Sequence, residues 1–120
     1  MRGIGNDIIE IHRIAGAISR HGKRFLDEIF THREQEYCLR HQQSARHFAG
    51  RFAAKEAIVK ALGTGFIDGI NWQDIEIVND SSGKPSVFLS DELNLRFNSP
   101  SIQISISHCK EYATAVAIYC

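Results

Sequence analysis

Long apolar runs are missing from this 120-residue chain. No stretch approaches the roughly 20 residues that a membrane-spanning helix needs. Arg2, Asn6 and Asp7 interrupt any early apolar run of the kind a secretory leader requires. Cysteine is scarce. Cys38, Cys109 and Cys120 are odd in number and no two share a CxxC spacing. That argues against a disulfide framework and for a reducing compartment, so a cytoplasmic location is expected. Several catalytic signatures are also absent: no GxxxxGK[ST] phosphate loop, no HxxxH or HExxH zinc spacing and no GxSxG nucleophile turn. There is no internal repeat, low-complexity tract or interdomain linker. Net charge is zero, and the aromatics do not interleave with the basic residues, which disfavours a nucleic-acid binder.

What is present fits an ordinary globular chain, 43% hydrophobic and 23% charged. The length suits one domain over residues 1–120, and a substantial cleft on so short a chain calls for a second subunit to complete it. The zero net charge hides an asymmetry. Residues 1–62 carry 11 Lys or Arg against 7 Asp or Glu, whereas residues 63–120 carry 3 against 7. Such sorting can present a basic face to an acidic partner, unless the two halves simply pair with each other or with solvent.

Residues 3–11 read as a short strand holding Asp7. Residues 12–24 read as a basic helix ended by Gly22, with Arg13 and Arg20 seven apart on one face. Thr31 and Glu34 form a capping box for a helix to about residue 42. Ser44 is a candidate cap for the longest helix, which ends at Gly63-Thr64-Gly65. Residues 72–78 and 86–89 read as strands around a turn at 80–85, and Ser90 or Asp91 opens a short helix. Residues 102–107 and 113–119 are further strands. Helices first and strands later predict an α+β fold, with an antiparallel sheet packed against the long helix.

On a helical wheel for residues 44–62, Leu62, Phe48, Val59, Phe52 and Ala45 share an arc that also contains Lys55. Glu56 and Lys60 lie on its border, four residues apart. An ordinary surface pair and a lysine that extends its tip to water would explain this blandly. Asp7 changes the weighing. An acid among Ile4, Ile8, Ile9 and Ile11 is costly without a partner. It either accepts local backbone hydrogen bonds or binds a metal. Magnesium takes oxygen ligands, commonly one or two carboxylates, and completes its shell with water and substrate phosphate. Arg51, Lys55 and Lys60 around Glu56, with Gly63-Thr64-Gly65 following, are candidate phosphate binders; the plain alternative for the glycines is a helix stop. His108, next to Lys110 after a strand, is either structural or a further phosphate contact.

Four segments resemble one known family: GIGNDIIEI at 3–11, RFAAKEAIVKALGTG at 51–65, WQDIE at 72–76 with GKP at 83–85, and SISH at 105–108. Together they look like the holo-acyl-carrier-protein synthases, the short single-domain phosphopantetheinyl transferases, and the likeness covers essentially the whole chain. The resemblance implies transfer of 4′-phosphopantetheine from coenzyme A to a serine of acyl carrier protein, a step serving fatty acid biosynthesis. It implies magnesium on Asp7 and Glu56, with Lys60 near the reacting phosphates. It implies that Arg51 and His108 hold the nucleotide end of coenzyme A, including its 3′-phosphate. Gly63, Thr64 and Gly65, and Gly83 to Pro85 with Lys84, would line the coenzyme cleft. Arg13, Arg20 and Arg24 would dock the acidic carrier protein. Family members of this length are homotrimers with clefts between subunits. One position departs: Cys109 stands where Ser or Thr is frequent, and a thiol is a weak donor, which leaves its backbone amide as the expected contact.

The implied reaction is attack by the serine hydroxyl on the β-phosphate, which leaves adenosine 3′,5′-bisphosphate. It needs charge neutralisation and in-line alignment and no enzyme nucleophile. The base is either Glu56 through a water or a water on the ion. Two rivals remain: a magnesium-dependent nucleotide pyrophosphate hydrolase using the same Asp7 and Glu56 with water as nucleophile, and a non-enzymatic trimeric module that binds coenzyme A or an acidic partner.

Overall fold

The computed structural model describes residues 1–66 and 69–120. Its elements run β1 (Gly3–Glu10), α1 (Ile11–His21), α2 (Lys23–Ile29), α3 (His32–Leu39), α4 (Ser44–Leu62), a 3-10 turn (Trp72–Asp74), β2 (Ile75–Asn79), β3 (Pro85–Leu89), α5 (Asp91–Arg96), β4 (Ile102–His108) and β5 (Tyr112–Tyr119). β1, β5 and β4 form an antiparallel sheet in that order, and β2 pairs with β3 as a separate hairpin. The α+β architecture with antiparallel sheets is as expected.

Local chemistry sets most boundaries. Thr31 and Glu34 make the reciprocal capping box: the Thr31 amide donates to Glu34 Oε1 at 2.8 Å and the Glu34 amide to Thr31 Oγ1 at 3.3 Å. Ser90 Oγ accepts the Leu93 amide and so caps α5. Gly22 ends α1 at φ 55°, yet the chain resumes at once as α2, a helix that the sequence reading leaves out. Two expectations are corrected. Ser44 is the first residue of α4 and not its cap; Gln43 precedes it with no side-chain cap bond. Residues 72–74 form a 3-10 turn and not strand, because the Asp74 carboxylate takes the Asn71 amide at 2.8 Å.

α4 is the axis of the molecule. From Phe48 onward, Ala49, Gly50, Ala53, Ala54, Ala57, Ile58, Val59, Ala61 and Leu62 are all buried. One apolar arc is therefore too narrow a description: small residues let neighbours close in on several sides. One core cluster joins this helix to the sheet and the β2–β3 hairpin through Ile75, Ile77, Ala115 and Ala117. A second joins its N-terminal half to α1, α2 and α3 through Ile14, Phe30, Cys38 and Phe48. Lys55 lies inside with no exposure. Its ammonium donates to Glu34 Oε1 and to the Ile29 carbonyl at 2.8 Å, and to the Trp72 carbonyl at 3.1 Å. It neither extends to water nor reaches a phosphate; it ties α4 to α3.

Candidate active site

β1 lies directly on α4 because two of its residues lack side chains. A Cβ on Gly5 would sit 2.1 Å from the Ala57 carbonyl oxygen, and one on Gly3 2.0 Å from that of Ala61. Strand alternation then points Asp7 to the same face. Lys60 Nζ donates to Asp7 Oδ1 and to the Asn6 carbonyl, both at 3.0 Å. Glu56, one turn earlier on α4, has its carboxyl raised from the ordinary value, first by burial and second by the Asp7 charge, with Lys60 opposing. So Asp7, Glu56 and Lys60 do converge, from elements remote in sequence. Two carboxylates facing one ammonium leave negative charge uncompensated, and hard oxygens are what magnesium takes. Among the described residues no cluster of three or more His, Cys, Asp or Glu is placed to hold an ion. Asp7 and Glu56 could thus give an ion two protein ligands, with the rest of its shell from water and substrate.

Arg51 and His108 converge elsewhere. With Tyr37, Arg46, His47, Asn79, Gly83 and Pro85 they line a cavity of about 220 Å³. Arg51 is 3% exposed. Its Nη2 donates to Asn79 Oδ1, and its guanidinium lies 4.2 Å from the Tyr37 ring centre. Its Nε has no hydrogen-bond partner among the described residues. Lys84 does not line this cavity, although its neighbours Gly83 and Pro85 do. Neither do Asp7, Glu56 and Lys60. Asp7 is on one edge strand and His108 on the other, with β5 between them. Within one chain the two groups therefore lie towards opposite edges of the sheet.

Two sets of backbone amides expected at the site are already bonded within the chain. The amides of Gly63, Thr64 and Gly65 all return to the Val59 carbonyl, at 3.0, 3.1 and 3.3 Å. They cap α4, as a helix stop does, and the buried Thr64 hydroxyl is left without a partner among the described residues. The Cys109 amide donates to the Tyr112 carbonyl at 2.9 Å in the β4–β5 turn and is not free either. Arg13, Arg20 and Arg24 are exposed as expected. Sequence reasoning missed Tyr37, Arg46, His47 and Asn79. His47 stands one turn before Arg51 on α4, a spacing that was there to be read.

A carboxylate pair beside a lysine, and a basic cavity lined by Arg46, Arg51, His47 and His108, suit an enzyme that handles a phosphorylated substrate. Residues 3–117 match the family described as the 4′-phosphopantetheinyl transferase superfamily, and the chain belongs to it. It is 60% identical over 117 residues to the holo-[acyl-carrier-protein] synthase of Protochlamydia amoebophila, covering 98% of this chain and 96% of that protein. Its fold superposes on Helicobacter pylori holo-[acyl-carrier-protein] synthase in complex with coenzyme A, with a TM-score of 0.89 and 34% identity over 98% of this chain and 99% of that one. The synthase from Neisseria meningitidis gives a TM-score of 0.90 at 31% identity, covering all of this chain and 98% of that one.

Proposed function

We infer that this chain is a holo-[acyl-carrier-protein] synthase, a single domain over residues 1–120 acting in the cytoplasm. It transfers 4′-phosphopantetheine from coenzyme A to a serine of apo acyl carrier protein and so serves fatty acid biosynthesis. The serine oxygen bonds to the β-phosphorus, the bond to the bridging oxygen breaks, and adenosine 3′,5′-bisphosphate leaves. The observation that carries the residue assignment is the meeting of Asp7, Glu56 and Lys60. In this reading Asp7 and Glu56 hold magnesium, which when bound would neutralise the coenzyme's diphosphate. Lys60, anchored by Asp7 and the Asn6 carbonyl, supplies positive charge beside the same phosphates. Glu56 is placed to receive the serine proton through a water. Arg51 and His108 hold the nucleotide end. Arg13, Arg20 and Arg24 dock the acidic carrier.

The two half-sites support a homotrimer with each cleft between subunits. In a closed ring, the β1 edge of one chain can face the β4 edge of the next. The outer face of the three-stranded sheet offers a contact surface, with Ile4 59%, Ile8 65% and Tyr112 42% exposed. Intact mass spectrometry of apo carrier protein incubated with this chain, coenzyme A and magnesium tests the function. A gain of one phosphopantetheine is expected. Consumption of coenzyme A with no carrier present would instead identify a hydrolase.

A further inference from the structure

The cavity beside Arg51 contains more imidazole than its anion-binding role requires. The His41 and His47 rings stack with centres 3.9 Å apart, and His47 meets His108 edge to face at 5.6 Å. Tyr37 closes the row, 4.8 Å from His41 and 6.0 Å from His47. His41 Nδ1 lies 2.9 Å from the Tyr37 carbonyl oxygen. That oxygen can only accept, so Nδ1 carries the proton and the His41 orientation is fixed. The ring nitrogens of His47 make no hydrogen bond among the described residues, and neither does the buried Arg51 Nε in the same wall.

We propose that His47, with His41 stacked behind it, is a further recognition residue for the 3′-phosphate of the coenzyme, taking up a proton as that phosphate enters. The inference rests on the reading that this cavity receives the nucleotide end. The charged and titratable groups facing His47 are His41 beyond α3, Arg46 and Arg51 on α4, and His108 on β4, with the Tyr37 phenol from α3. Among the described residues no carboxylate lines the cavity. Burial first, and then His41, His108, Arg51 and Arg46, push the His47 imidazole down to about 4, so it is neutral at pH 7 in the free protein. A phosphate monoester has its second pKa near about 6 and arrives largely as a dianion. Its charge reverses the balance: a proton from solvent binds His47, and a third cationic donor joins Arg46 and Arg51. The sign follows from linkage. Protonation is favoured in the complex and disfavoured in the free protein, so affinity rises as pH falls through neutrality, by up to about tenfold per unit, until the phosphate itself takes up a proton near about 6.

The test is calorimetric titration of the full-length protein near pH 7, in two buffers of different ionisation enthalpy. The ligands are coenzyme A and coenzyme A lacking the 3′-phosphate. Proton uptake is expected with the first and is smaller with the second. His47→Phe keeps an aromatic ring in the stack but cannot take a proton, so its pH slope for coenzyme A should fall to that seen without the 3′-phosphate. Equal affinity of the two ligands would overturn the reading of the cavity itself. A clear preference for the 3′-phosphate without proton uptake in the unmodified protein would overturn the role of His47 alone, and so would an undiminished slope in His47→Phe.

Discussion

Burial and the neighbouring Asp7 carboxylate both raise the pKa of Glu56, and Lys60 offsets only part of this. The folded value lies above the unfolded one, so the stability that protonation contributes is present at low pH and is lost as pH rises through the folded value. At pH 7 the ionised side chain therefore weakens the fold. Glu56→Gln should melt about 1–3 °C higher than the parent at pH 7 without divalent ions, a modest gain because solvent screens the repulsion. The gap should close as pH falls towards the ordinary value of 4.5. A variant that melts lower at pH 7 would show that Glu56 is not under this pressure. Lys55 and Glu34 are the opposite case. The Glu34 carboxylate also accepts the Ile77 amide at 2.8 Å, so the buried pair is fully bonded. Lys55→Met should cost about 3–5 kcal/mol in urea unfolding by stranding that carboxylate, with part recovered on adding Glu34→Gln. The sequence showed that Lys55 was anomalous. It did not show the partner, which lies 21 residues earlier on another helix.

Among elements, the seam between β1 and α4 decides where the site lies. It depends on Gly3 and Gly5, because no side chain fits between that strand and the helix carbonyls. Gly5→Ala should force the two apart and reduce both melting temperature and transfer activity, since Asp7 and Glu56 ride on opposite sides of the seam. Unchanged activity would mean that their spacing is not critical. The strands and most helix boundaries were legible, since alternation, caps and turn residues are local signals. α2 was not, because a glycine at φ 55° looks like an ending whether or not a helix follows. The all-round burial of α4 was hidden too, because a wheel shows one face and not how many neighbours surround it. The glycine loop after α4 carries the same letters whether its amides cap the helix or bind phosphate; only the coordinates show the return to Val59. On α1, Arg13 is exposed and has no ion-pair partner among the described residues. Arg13→Glu should weaken carrier-protein binding tenfold or more, at about 1.4 kcal/mol per decade, and leave coenzyme A affinity unchanged, as titration of each ligand would show.

For the whole molecule, the proposed trimer would bring the carboxylate pair at the β1 edge of one copy to the basic cavity at the β4 edge of the next. The sequence resemblance pointed to both groups of residues. It could not show that one chain keeps them on separate edges, because strand order is a property of pairing and not of position along the chain. Subunit complementation tests this most directly. Glu56→Gln lacks the carboxylate half-site and Arg51→Met the nucleotide half-site, so each alone should transfer little phosphopantetheine to apo carrier protein. After unfolding and co-refolding at equal amounts, about a quarter of the clefts in random ring assemblies join two intact halves, and carrier-protein mass spectra should show transfer restored to that extent. Mixed assemblies that form yet remain as inactive as their parents would contradict a cleft shared between subunits.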